Sequence, residues 1–302
     1  MSKSVSVVIP TYNYGRFISD AIRSVLAQTF PAMEIIVVDD GSTDNTADIV
    51  REFGDSVTYI SQPNAGVCAA RNRGVAESTG DLIAFLDADD IWESTKLEKQ
   101  AAKFRDDPAI GLVHCGMREF DVDTGATKRL HLDGSEGRVA EELLLWERPS
   151  VNVSGSVIMV GRQAIDAVNG FDTQIKCGED WDFCYRVARV FDVGFVAEPL
   201  VNYRSHSAAA HLNVREMERG MSLFYEKAFA DPDVAHLRRR AYGNFHKVMA
   251  GSYYHSGAYG RFAHHSVRSI WLRPRNLMYF LKLPWRYYSR KENYWSGPDT
   301  HA

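Results

Sequence analysis

Three carboxylates stand within four residues at Asp87-Ala88-Asp89-Asp90, directly after the apolar run 82–86. Like charges this close raise one another's pKa unless a cation offsets them. Hard divalent cations such as Mg2+ or Mn2+ take oxygen ligands of this kind, commonly one or two carboxylates together with substrate phosphates. Standing alone, a D-x-D-D run is a solvated acidic turn that caps the next helix. Its place after a buried strand, with a second pair Asp39-Asp40 after another, points instead to a metal and diphosphate site. Neither G-x-x-x-x-G-K-[ST] nor G-x-G-x-x-G occurs in the chain, so no glycine-rich loop is available to cradle phosphates. Diphosphate charge must then be met by the metal and by scattered basic residues. Arg71 is placed to contribute, although an ordinary surface arginine is the plainer reading.

These residues need elements to hold them. Residues 5–9 form a short β-branched run ending at Pro10, and a helical pattern follows with Phe17, Ile18, Ala21, Ile22, Val25 and Leu26 on one face. Asn13 is a candidate cap for it. A second strand is expected over 34–38, then a helix through residue 53 capped by Ser42 or Thr43, a third strand over 57–60, a helix over 66–78 and a fourth strand over 82–86. Apolar strands alternating with helices argue for an α/β fold with a mostly parallel central sheet covered on both faces. Ligands of such sheets bind beyond the carboxyl ends of the strands. Thr11-Tyr12-Asn13, Asp39-Asp40 and the Asp87-to-Asp90 run all fall there, so three sequence-distant polar clusters converge on one edge. Further on, 112–115 and 156–160 look like strands, Gly170-Phe171-Asp172 like a turn, and 180–190 like a helix with Phe183, Val187 and Val190 on one face and Arg186 and Arg189 outside it. From about residue 216 the chain is helical and more basic.

The chain has 302 residues, 45% of them hydrophobic and 25% charged, with a formal net charge of −4. That is globular composition with room for one large domain and an appendage, expected at 1–210 and 211–302. A nucleic-acid binder usually shows a basic excess, which is missing here. No apolar run reaches the about 18–20 residues that span a bilayer. The 5–9 run falls short of the about 7–15 residues of a signal-peptide core, so a cytoplasmic chain is expected. Cys68, Cys115, Cys177 and Cys184 form no C-x-x-C pair and read as reduced thiols.

Four blocks, Val5-Ser-Val-Val-Ile-Pro-Thr-Tyr-Asn13, Ile36-Val-Val-Asp-Asp-Gly-Ser-Thr-Asp44, Gly66-Val-Cys-Ala-Ala-Arg-Asn-Arg-Gly74 and Ala84-Phe-Leu-Asp-Ala-Asp-Asp90, resemble in content and order those of the family 2 glycosyltransferases of the GT-A fold. Gly178-Glu-Asp-Trp-Asp182 resembles that family's later catalytic segment, so the likeness covers roughly residues 4–206. The resemblance implies a GT-A, Rossmann-like domain with a helical C-terminal appendage. It also implies a nucleotide-diphosphate-sugar donor, often UDP-linked, and inversion at the anomeric carbon. By position, Pro10, Thr11 and Tyr12 would line the nucleoside pocket, with Asp40 accepting from the base and Asp39 beside it. Arg71 would lie near the nucleotide, Asp87 near ribose or metal, and Asp89 would be the principal metal ligand. Asp180 matches the general base, Glu179 and Trp181 the acceptor side, and His206 a basic or metal-binding position. No Gln-x-x-Arg-Trp segment is visible, which favours transfer of a single sugar over polymerisation. The acceptor expected is a saccharide or lipid-linked molecule of cell-envelope polysaccharide, lipopolysaccharide or glycoconjugate synthesis.

Two other readings compete. A nucleotidyltransferase making sugar nucleotides would carry a glycine-rich loop after the first strand, where Thr11-Tyr12-Asn13-Tyr14 stands instead. A non-catalytic nucleotide-sugar binding protein would not need Asp180. Finally, residues 261–291 combine Arg261, Arg268, Arg273, Arg275, Lys282, Arg286, Arg290 and Lys291 with Trp271, Tyr279, Phe280 and Trp285. Basic residues among interfacial aromatics suit peripheral contact with the inner face of a membrane. The alternative is a helical appendage that packs its aromatics on the catalytic domain.

Overall fold

The computed structural model describes residues 3–148, 150–205 and 213–282. Four strands, β1 (Val5–Thr11), β2 (Glu34–Asp39), β3 (Thr58–Ser61) and β4 (Leu82–Phe85), pair in parallel in the order β3-β2-β1-β4. Helices α1 (Ile18–Leu26), α2 (Thr46–Arg51) and α3 (Val67–Glu77) form the crossovers. Every residue of β1 and β4 is buried, which is why both read as unbroken apolar runs rather than alternating ones. A Cβ on Gly74 would fall 2.3 Å from Val8 Cγ1, so this glycine lets α3 lie directly on β1. That contact fixes the height of Arg71, one turn earlier on the same helix.

The sheet continues through β5 (Ile91–Trp92), β6 (Ile110–Asp121), β7 (Thr127–His131), β8 (Met159–Gly161) and β9 (Asp192–Ser205), in the order β4-β8-β6-β9-β5 with β7 beside β6. Between these strands lie α4 (Lys96–Asp106), α5 (Ala140–Leu145), α6 (Arg162–Val168) and α7 (Glu179–Val190). β8 is antiparallel to both its neighbours, whereas the long β6 and β9 run parallel. The result is the expected α/β sheet, parallel through its first four strands and mixed beyond them.

Three local expectations are corrected. Asn13 does not cap α1. It takes φ 59°, a conformation Asn tolerates, and its side chain reaches the next loop instead. Neither Ser42 nor Thr43 caps the second helix: α2 begins only at Thr46, whose N–H donates to Asp44 Oδ1 at 3.0 Å. Val190 closes α7 but is 53% exposed, so the inward face there is Phe183 and Val187.

The chain divides into two compact units, Met1–Ala140 with Val151–Ser207, and Glu141–Ser150 with Ala208–Ala302. The second contains α8 (Val214–Ala228), α9 (Arg238–His255) and α10 (Tyr259–Leu272). The segment 141–150, which nothing in the sequence separates from its neighbours, is tied into that unit: Tyr225 donates to the Leu144 carbonyl at 3.0 Å and Asn244 to that of Leu145 at 2.8 Å. Glu147 pairs with Arg240 and Arg273, both at 2.6 Å. Among the described residues no helix is long and apolar enough to cross a membrane, and all four cysteines are free thiols.

Candidate active site

The carboxyl ends of β1, β2 and β4 deliver Thr11, Asp39 and the Asp87 run to one sheet edge, as parallel pairing requires; Pro10 lies opposite Val38 and Thr11 opposite Asp39. Thr11 is 3% exposed, and its Oγ1 lacks a hydrogen-bond partner among the described residues. Tyr12, the next residue, is 46% exposed. The loops after β1 and β2 are tied together: Asn13 N–H donates to Ser42 Oγ and Thr43 N–H to Asn13 Oδ1, both at 2.8 Å. Asp39 and Asp40 are buried and engaged within the protein. Asp39 accepts from Ser42 N–H and the Tyr59 hydroxyl, both at 2.7 Å. Asp40 accepts from Gln62, Ala65 N–H and Gly66 N–H at 2.7, 2.9 and 2.7 Å. Asp40 thus pins the loop that leads into α3.

Arg71 is the centre of the site. It is only 2% exposed, so the plain surface reading does not hold. Its Nη1 donates to Asp180 Oδ1 at 2.6 Å and to Glu179 Oε1 at 3.2 Å, and its Nη2 to Asp87 Oδ1 at 2.8 Å. The Phe171 ring lies 5.2 Å from the guanidinium carbon. Burial disfavours the charged guanidinium, but Asp180, Asp87 and Glu179 outweigh it and hold its pKa well above the ordinary arginine value. One buried cation therefore serves three carboxylates drawn from the end of β4 and the first turn of α7. Removing water from Asp180 pushes its pKa up to about 7 despite Arg71, with Glu179 and Asp87 adding to the rise. Trp181 follows on the same turn, half-buried.

The sequence reads 156–160 as a strand, but residues 155–157 form instead the turn that closes this cluster, and β8 starts only at Met159. Gly155 N–H donates to Asp180 Oδ2 at 3.1 Å, and Ser156 Oγ accepts from Asp87 N–H at 3.0 Å while donating to Asp90 Oδ2 at 2.6 Å. Asp90, 1% exposed, also accepts from Arg204 N–H at 3.1 Å on its other oxygen, so both its oxygens are engaged within the protein. Burial, with Asp89 and Asp87 nearby, raises its pKa well above the usual carboxylate range. Tyr14 and Tyr203 stand close enough to Asp89 and its neighbours that burial plus these carboxylates raise both phenol pKa values. The available signals were weak ones: a Ser-Gly-Ser string, and tyrosines beside two already noted segments.

Among the described residues no three His, Cys, Asp or Glu side chains gather into a closed metal cage. The donors present fit a cation of the kind bound mainly by substrate: Asp89 is half-exposed at the sheet edge while Asp87 is committed to Arg71, and Mg2+ sites commonly combine one or two carboxylates with phosphate oxygens. His206 lies outside the described residues.

The family model for Glycosyl transferase family 2 matches residues 6–168. An uncharacterized glycosyltransferase of Nostoc sp. is 33% identical over 223 residues, 69% of this chain and 67% of that protein. TuaG of Bacillus subtilis, named for teichuronic acid biosynthesis, is 44% identical over 101 residues, 32% of this chain and 40% of its own. The chain thus spans about two thirds or less of the length of such relatives. Among solved structures, S. aureus TarS in complex with UDP-GlcNAc shares the fold at TM-score 0.61 and 16% identity, over 89% of this chain and 91% of that one. The mannosyltransferase PcManGT from Pyrobaculum calidifontis, in complex with GDP-Man and Mn2+, does so at TM-score 0.63 and 20% identity, over 97% and 84%. With an α/β architecture shared with GT-A structures and a family match over more than half its length, this chain belongs to glycosyl transferase family 2.

Proposed function

We propose that residues 1–210 form an inverting catalytic domain, with 211–302 as its helical appendage, and that it moves a single sugar from a nucleotide-diphosphate donor, UDP-linked, to an acceptor hydroxyl. The observation that carries the reading is Asp180: a half-buried carboxylate oriented on both oxygens, by Arg71 at 2.6 Å and Gly155 N–H at 3.1 Å, with its pKa brought to about 7. A base poised near the working pH is what general-base catalysis requires, and such a group contributes about 10²–10⁴-fold. Asp180 accepts the acceptor hydroxyl proton as that oxygen bonds to the anomeric carbon. The bond from that carbon to the diphosphate oxygen breaks, and the nucleoside diphosphate leaves.

We assign the other roles as follows. Thr11 Oγ1, buried and without a partner among the described residues, and the exposed ring of Tyr12 suit the nucleoside. Pro10 shapes the strand end beneath them, and Asp39 and Asp40 hold the loops around the base. Arg71 and Asp87 fix the distance between the diphosphate and Asp180. Glu179, paired with Arg71, and Trp181 beside it would shape the acceptor side. Asp89, with His206 beyond the described residues, would hold Mn2+ or Mg2+, which supplies Lewis-acid neutralisation of the leaving diphosphate when bound. The acceptor we favour is a saccharide or lipid-linked intermediate of envelope polysaccharide synthesis, a reading supported by the likeness to TuaG. The free thiols suit a reducing compartment, the cytoplasm.

Release of nucleoside diphosphate from a panel of sugar nucleotides, with and without saccharide acceptors, tests the proposal. UDP released in step with sugar transfer supports it, and pyrophosphate chemistry or binding without turnover refutes it. Asp180→Asn should lower turnover by at least about 10²-fold with donor affinity retained; full turnover by that variant would remove Asp180 from the mechanism.

A further inference from the structure

The second unit carries a feature that sugar transfer does not use. Residues 234–282 contain nine Lys and Arg and no Asp or Glu. The chain as a whole has a formal charge of −4, so this stretch is a strong local reversal. Arg240, Arg261 and Arg273 are neutralised by Glu147 and Glu218. Arg238, Arg239 and Arg268 have no such partner among the described residues. All three line one open groove of about 780 Å3, together with Tyr242, Val267 and Trp271.

The groove pairs charge with apolar surface. On α10, His264, Val267, Arg268 and Trp271 fall at i, i+3, i+4 and i+7, a single helical stripe, and all four are exposed. Trp271 is 75% exposed and Val267 68%. The opposite face of the helix, His265 and Ser269, is buried, and Ser269 Oγ donates to the Gly243 carbonyl of α9 at 2.8 Å. Twelve large hydrophobic residues are exposed among the described residues, and six lie between positions 259 and 281: Tyr259, Val267, Trp271, Leu277, Met278 and Leu281. Such a concentration marks an interaction surface.

We propose that this groove and the outer stripe of α10 dock the protein on an anionic lipid bilayer. The arginines meet phospholipid headgroups, and Trp271 and Val267 enter the interface, where an aromatic with a polar edge and an aliphatic side chain both gain. A soluble polyanion satisfies the arginines equally well but leaves those apolar side chains in water, and this decides for the bilayer. The expectation from sequence put the contact across residues 261–291; the surface instead begins at Arg238 and Arg239 on α9. Trp285, Arg286, Arg290 and Lys291 lie outside the described residues.

Co-sedimentation of the full chain with vesicles of phosphatidylglycerol and phosphatidylcholine, against phosphatidylcholine alone, reads the proposal directly. Binding should need the anionic lipid and weaken with salt as headgroup charge is screened. Arg238→Glu/Arg268→Glu and Val267→Ser/Trp271→Glu should each lower partition at least about tenfold, with nucleoside diphosphate release from soluble donor unchanged. All four side chains are exposed, and a thermal melt verifies that both variants fold. Failure of the wild type to bind anionic vesicles overturns the proposal. So does normal binding by the Val267/Trp271 variant, or loss of soluble polyphosphate binding by the arginine variant alone, which would mark a polyanion site.

Discussion

Replacing Gly155 with alanine adds one methyl group at the tightest point of the proposed catalytic centre. Its Cβ would stand 2.5 Å from Arg71 Nη2 and 3.0 Å from both Arg71 Cζ and Asp87 Oδ1. Non-bonded contacts settle near about 3.5 Å, so something must retreat by roughly 1 Å. Arg71 has little room to do so. It is 2% exposed, packed on Phe171 and held at 2.6 to 3.2 Å by three carboxylates. If the turn lifts instead, Gly155 N–H leaves Asp180. Either movement displaces Asp180, and a misplacement of about 1 Å near the chemistry costs about 10²-fold. Turnover should therefore fall about 10²-fold, and stability by about 1–3 kcal/mol from overpacking. Gly155 has no positive φ, so its backbone accepts alanine, and the smaller unfolded-state entropy alone would stabilise by about 0.4–1 kcal/mol. The sign of the stability change thus separates steric from conformational causes. Gly260, which has nothing within 4 Å of its Cβ position, provides the control. Steady-state nucleoside diphosphate release and urea denaturation measure both effects. A folded Gly155→Ala protein with turnover within threefold of wild type refutes the clamp.

Four further outcomes follow from the same centre. The kcat/KM should rise with pH and level off above about 7 as Asp180 loses its proton; a flat profile from pH 5 to 9 in a donor-release assay counts against Asp180. Because the folded pKa of Asp180 is raised, its contribution to stability is full below the unfolded carboxylate value and is lost as pH rises through about 7, so urea midpoints should fall over that window in wild type and not in Asp180→Asn. Arg71→Met leaves three carboxylates without their cation and should destabilise by about 3–5 kcal/mol at pH 8, with partial recovery at pH 5; a loss under 1 kcal/mol shows that the cluster is not held by Arg71. Asp89→Ala should abolish the Mn2+-dependent part of the thermal shift produced by donor, and an undiminished shift reassigns the metal.

The sequence exposes the first half of this fold because its strands are buried on both faces. Val5 to Ile9 and Leu82 to Leu86 read as strands for that reason, and their ends place Thr11, Asp39 and Asp87 on one edge. The second half is less legible because β6 and β9 pair across some eighty intervening residues, and their register is set by tertiary contact rather than local pattern. Turn chemistry misleads at Asn13, where a side chain able to cap also tolerates a left-handed backbone. Within the site, charge could be seen but not its balance. Nothing local distinguishes a surface arginine from Arg71, since its three partners lie 16, 108 and 109 residues away. Gly155 acts through a backbone N–H, a donor that every residue but proline carries.

The shared guanidinium also shapes how this protein can change. Three carboxylates drawing on one guanidinium form with it a unit of epistasis, and their single substitutions will not add. Asp87→Asn should be tolerated better in an Arg71→Met background than in wild type, because it removes one of the carboxylates that the lost cation left exposed to the others. Each corner is then held in place by its neighbours over evolutionary time, and an escape route requires paired changes, a constraint invisible to any scan made one residue at a time.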